Sequence, residues 1–94
     1  MIRLTVHFSG RVQGVGFRYT TQRIARHHAV AGVVENLDDG RVQLVIEGQP
    51  DDLRALVADI SEHMRDYIGG TQIVESPATQ EFGSPSPGAL KIRR

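Results

Sequence analysis

An α+β sandwich, in which an antiparallel sheet carries two helices on one face, is predicted by three features of this sequence. Residues 2–9 alternate: Ile2, Leu4, Val6 and Phe8 point one way, and Arg3, Thr5, His7 and Ser9 the other, which is the period of a half-buried strand. Two further apolar runs, 30–37 and 41–47, flank Asp38-Asp39-Gly40. An Asp-Gly step between apolar runs is a strong hairpin signal. Two other segments, beginning at Phe17 and Pro50, place their apolar residues three and four apart, the spacing of amphipathic helices.

Each element follows from its residues. After the first strand and a glycine-rich connection, Phe17, Thr21, Ile24, Ala25 and His28 fall on one helical face, while Arg23 and Arg26 fall elsewhere; this helix is expected to end near His28. In the third strand Val42, Leu44 and Ile46 share a face, and Gly48-Gln49-Pro50 breaks it. Pro50 suits a first helical turn, and Asp51 and Asp52 suit its positive end. Leu53, Leu56, Val57, Ile60 and Met64 then mark a helix to about Tyr67, with Gly69-Gly70 as its stop. Residues 71–76 read as a fourth strand, Ser84-Pro85-Ser86-Pro87-Gly88 as a loop, and Ala89 to Ile92 as a short last strand that pairs either within the chain or with a neighbour. The order β-α-β-β-α-β, with a short C-terminal strand added, is the ferredoxin-like arrangement, with a right-handed crossover through the first helix.

Ninety-four residues are expected to make one domain, 1–94, with room for one site. There is no cysteine, which removes disulfides and thiolate chemistry and suits a cytoplasmic location. No signal peptide is visible at the N-terminus, and no apolar run is long enough to span a membrane. Eleven basic and eleven acidic residues cancel, whereas nucleic-acid binders carry a basic excess. The third strand also lacks the aromatics on which RNA-binding sheets of this topology stack bases.

The chemistry concentrates in Gly10-Arg11-Val12-Gln13-Gly14-Val15-Gly16-Phe17-Arg18. Glycine admits positive φ and close approach of a ligand to the backbone. A glycine-rich loop that opens a helix lets successive N–H groups converge on an anion, and an arginine at the helix mouth pairs with phosphate oxygens in a bidentate fashion. The spacing is neither Gly-x-Gly-x-x-Gly nor a Gly-Lys-Ser/Thr loop, so no dinucleotide or nucleoside triphosphate is implied. The residues alone allow two readings: an anion cradle with Arg18 as its fixed cation, or a tight strand-to-helix turn with Arg18 in a surface ion pair.

This segment resembles the signature of the acylphosphatase family, and Gly32-Val33-Val34-Glu35-Asn36 is similar to that family's second signature, a strand ending in asparagine. The resemblance runs along the chain and weakens after about Pro77. Val33 stands where the family often has an aromatic residue, and Leu90 where phenylalanine is common in the last strand. What the resemblance implies is that Arg18 binds a phosphate together with the loop Gln13, Gly14, Val15, Gly16 and Phe17, and that Asn36 positions the attacking water. The implied activity is hydrolysis of acyl phosphates to a carboxylate and inorganic phosphate, without metal or cofactor, by a monomer whose partners are a small acyl phosphate and product-like phosphate or sulfate. The alternative is a module of the same fold that binds phosphate or carbamoyl phosphate without turnover. Such domains also occur within larger carbamoyl-transfer enzymes; a chain ending at Arg94 favours the free-standing hydrolase.

Side-chain chemistry agrees with that division. Asparagine has no useful pKa and cannot act as a general base, yet its amide orients a water. Arginine stabilises charge on a transferring phosphoryl group. With no base in the pair, catalysis rests on positioning and electrostatics, which suffices for an acyl phosphate, an activated anhydride with a good leaving group. Other polar clusters read as structure. His27 and His28 are adjacent on a helix and diverge by about 100°, a poor arrangement for one metal ion. His7 and His63 read as surface or edge residues. Glu35 points away from Asn36 by strand alternation and is not expected to serve as a base.

Overall fold

The computed structural model describes residues 1–93. Its elements are β1 (Ile2–Gly10), α1 (Phe17–Ala25), β2 (Val30–Asn36), β3 (Val42–Gly48), α2 (Pro50–His63), β4 (Ile68–Pro77) and β5 (Ala89–Arg93). The strands form one sheet in the order β4-β1-β3-β2-β5. The first four pair antiparallel; β5 lies parallel to β2, with Gly32 opposite Leu90 and Val34 opposite Ile92. The last strand therefore pairs within the chain, and the sheet is mixed.

The alternation in β1 sets the register of the core. Leu4 faces Ile46, and Val6 faces Leu44, on the side covered by the helices. The helices complete this side with Phe17 and Ile24 from α1 and Leu53, Leu56, Val57 and Ile60 from α2, all buried. Each such side chain contributes roughly 1.5–3 kcal/mol when fully withdrawn from water. The Phe8 and Phe17 rings meet at 5.1 Å and 51°, a tilted contact that fastens the start of α1 to β1. Thr21 is fully buried on the same helix, and its hydroxyl has no partner among the described residues.

Both helices end earlier than their apolar pattern indicates. Beyond Ala25 the chain tightens into three-residue bonds, from Arg26 N–H to the Arg23 carbonyl and from His28 N–H to the Ala25 carbonyl, a 3₁₀-type closure. His28 there contacts Asp59 of α2 at 2.6 Å. After His63 a turn closes through bonds from Tyr67 and Ile68 N–H to the Met64 carbonyl. That turn, and not Gly69-Gly70, stops α2. Both glycines belong to β4, where a register shift at Ser9/Gly10 brings them close against β1.

Residues 78–88 run from β4 at one edge of the sheet to β5 at the other. This strap crosses the face opposite the helices and is anchored by Glu47, a carboxylate with 1% exposure. Glu47 accepts hydrogen bonds from Arg3 Nε (2.8 Å), Thr79 N (2.8 Å), Thr79 Oγ1 (3.1 Å) and Gln80 N (2.7 Å). Burial pushes its carboxyl up, but these donors together outweigh burial and hold it below the ordinary glutamate value. Arg3 also reaches Glu81 and lies 5.2 Å from the centre of the Phe82 ring.

Candidate active site

The helix-facing side of the sheet reaches its end at the β1–α1 loop and the β2–β3 hairpin, and these two connections lie together. The loop takes its shape from two glycines with positive φ, Gly14 at 80° and Gly16 at 75°. Gly16 is also the N-cap of α1, in left-handed geometry and without any side-chain cap. Residues with a Cβ resist that conformation by roughly 1–2 kcal/mol. Because β1 stops at Gly10 and α1 starts at Phe17, the N–H groups of Gln13 to Arg18 belong to no ladder. Among the described residues they have no carbonyl partner in the loop either. They form a set of unpaired donors at a helix N-terminus, where the helix dipole adds partial positive charge.

Arg18 is half-buried on the first turn of α1, and its Nη1 donates to the Arg93 carbonyl of β5 at 3.4 Å. Among the described residues it has no carboxylate within salt-bridge distance. Asn36 closes β2. Alternation puts it on the helix side with Val34, while Glu35 sits on the other face, where it accepts from Gln43 Nε2 at 3.3 Å and Gln43 in turn meets His7 Nε2 at 2.9 Å. Glu35 is thus tied into a polar row directed away from the loop.

Two adjoining hollows share Arg18 and Asn36. One is lined in addition by Gln13, Leu37 and Asp38, the other by Val12, Gly14, Gly16, Phe17 and Tyr19. Of Gln13 to Arg18, all but Val15 line these hollows, and Val15 packs against the core cluster; Gly10 and Arg11 lie apart, against Gly69 and Tyr67. Gln13 does something the sequence did not signal. Its side-chain Nε2 donates to the carbonyls of Leu37 at 2.8 Å and Arg41 at 3.0 Å, clamping the glycine loop to the hairpin that follows Asn36. Tyr19, exposed at the rim, was not visible as a site residue either; only the helical position next to Arg18 marks it. The hairpin is further braced by Arg41, whose amide and then guanidinium hold the Asp39 carboxyl below its ordinary value. No group of histidine and acidic side chains able to hold a metal ion occurs among the described residues, and no helix there is long and apolar enough to cross a membrane.

Topology and site together define a ferredoxin-like α+β domain with unpaired backbone donors, among the described residues, at its first strand-to-helix turn. A family model described as Acylphosphatase matches residues 4–84. An acylphosphatase of Deinococcus radiodurans is 40% identical over 84 residues, covering 86% of this chain and 97% of that protein. One of Marinobacter nauticus is 45% identical over 75 residues, covering 79% and 82%. The crystal structure of acylphosphatase from Bacillus subtilis superposes over the whole of both chains with a TM-score of 0.82 at 30% identity. The chain belongs to the acylphosphatase family.

Proposed function

We propose that this acylphosphatase hydrolyses acyl phosphates by in-line attack of water on phosphorus, with Arg18 and the amides of Gln13 to Arg18 holding the phosphoryl oxygens and Asn36 holding the water. The observation that carries this reading is the meeting of unpaired loop amides, Arg18 and Asn36 at one hollow. The amides and the guanidinium supply positive potential on one side of the phosphoryl group. Asn36 presents a neutral amide that accepts a hydrogen bond from water and fixes its direction.

The water oxygen forms a bond to phosphorus as the bond from phosphorus to the acyl oxygen breaks. The electron pair leaves on the carboxylate, and the proton of the water passes to an oxygen of the transferring phosphoryl group, since Glu35 is turned away. Charge on the equatorial oxygens is met by donors already in place, the arrangement that lowers barriers most in phosphoryl transfer.

Phosphate release from a simple acyl phosphate tests the assignment, with the wild type beside Arg18→Gln and Asn36→Ala and folding followed by circular dichroism. Arg18→Gln is expected to lose on the order of 3 kcal/mol of transition-state stabilisation, a fall in kcat/KM of about a hundredfold or more. Asn36→Ala is expected to lower kcat while inorganic phosphate still binds. A folded, fully active Arg18→Gln protein would falsify the assignment. A wild type that binds phosphate without turnover would instead make the domain a ligand-binding relative.

A further inference from the structure

The two hollows that share Arg18 and Asn36 are not equivalent, and the difference bears on the acyl group. In-line displacement places the entering water and the leaving group on opposite sides of phosphorus. The leaving group departs as a carboxylate. One hollow has Asp38, an exposed acidic residue, in its lining, and a negative charge there disfavours a departing anion. The other has no acidic side chain in its lining and is walled by Gly14, Gly16, Phe17 and Tyr19. Charge therefore directs the acyl group to the second hollow and leaves the first to water.

Tyr19 is 71% exposed. Four large apolar side chains are left exposed among the described residues, Met1, Tyr19, Ile73 and Val74, and of these Tyr19 alone lines the hollows at Arg18. It follows Arg18 directly on the first turn of α1, so its position is fixed by the same helix that fixes the cation. The ring has no packing role to explain it: α1 buries Phe17, Thr21, Ile24 and Ala25, and Tyr19 stands away from that face.

We propose that Tyr19 is the acyl-group wall of the site, a specificity residue that favours acyl phosphates with a flat aromatic acyl group over those with a small aliphatic one. This rests on the phosphoryl-transfer reading above. An aromatic acyl group gains a stacking partner and a screen from water on the ring of Tyr19, whereas an acetyl group is too short to cover it.

The test compares benzoyl phosphate with acetyl phosphate for the wild type, Tyr19→Ala and Tyr19→Phe. The readout is the ratio of kcat/KM for the two substrates. Tyr19→Ala is expected to lower the benzoyl-to-acetyl ratio about five- to tenfold, chiefly through KM for benzoyl phosphate, and Tyr19→Phe to retain it, because the ring and not the hydroxyl makes the contact. A ratio within about twofold of wild type in Tyr19→Ala, or an equal loss in Tyr19→Phe, overturns the proposal while leaving hydrolysis itself intact. A wild type that hydrolyses neither substrate overturns the phosphoryl-transfer reading and this proposal with it. The exposure of Tyr19 makes both variants foldable, which circular dichroism checks.

Discussion

Replacing Glu47 by glutamine is expected to destabilise the fold by about 2–3 kcal/mol, and the figure follows from how its two oxygens are used. Oε2 accepts from Arg3 Nε, Thr79 N and Thr79 Oγ1, and Oε1 accepts from Gln80 N. A glutamine turned so that its oxygen replaces Oε2 keeps three acceptor contacts but confronts the Gln80 amide with its own NH₂, and the charge on the Arg3 contact is gone. A donor left facing another donor at this part-buried contact costs on the order of 1 kcal/mol or more, and the loss of charge weakens the remaining bonds. Glu47→Ala removes all four contacts at a site with 1% exposure and is expected to cost about 3–5 kcal/mol.

Thermal unfolding at pH 7 reads both variants, with about 4–8 °C for each kcal/mol in a domain of this size. The pH dependence separates the charge from the packing. The folded-state carboxyl lies below its ordinary value of 4.5, so the folded form binds the proton less readily than the unfolded one. The charge contribution is fully present above that ordinary value and fades as pH falls through the lowered one. The gap between wild type and Glu47→Gln should therefore narrow below about pH 4.5. A Glu47→Ala protein within about 0.5 kcal/mol of wild type, the range of an indifferent surface change, refutes the reasoning.

Gly16→Ala meets no neighbour within 4 Å, so its cost is conformational: about 1–2 kcal/mol by urea unfolding, accompanied by weaker inhibition by inorganic phosphate. Thr21→Val replaces a buried hydroxyl that has no partner among the described residues by a methyl of the same shape and is expected to raise stability by about 1 kcal/mol. Gln13→Ala removes the two bonds that clamp the loop to the hairpin. About 1–2 kcal/mol of stability should go with them, and kcat should fall by more than phosphate affinity, because the hairpin adjoins Asn36 while the Gln13 backbone amide is unchanged.

The parts of the fold legible in the sequence were those governed by local periodicity. Leu4, Val6 and Phe8 announce their face because a central strand buries one side, and Leu53, Leu56, Val57, Ile60 and Met64 announce theirs because α2 lies on that side. The sidedness of Glu35 and Asn36 followed from the same alternation. Helix ends were less legible: Arg26 to His28 and Met64 to Tyr67 keep a helical pattern while their hydrogen bonds shift to tighter turns. Gly69-Gly70 looked like a stop because a glycine pair carries the same letters whether it ends a helix or admits a neighbouring strand. The parallel seat of β5 on β2 and the tether of the strap to Glu47 depend on contacts far apart in sequence, which no local pattern encodes. Arg18 and Asn36 were identified through motif resemblance; that they share a hollow is a matter of three dimensions.

The strap also imposes an order on assembly. β4 and β5 are consecutive strands on opposite edges of a five-strand sheet, about 19 Å apart at the usual strand spacing. The residues up to Pro77 contain both helices, four strands, the glycine loop and Asn36. Until the strap has crossed the face of the sheet, β5 cannot reach the edge of β2, whereas the other four strands pair with one another without it. Arg18 then has its backbone setting but lacks the Arg93 carbonyl that steadies it. The last strand is thus a clasp on the edge of β2, and it carries the carbonyl that braces Arg18.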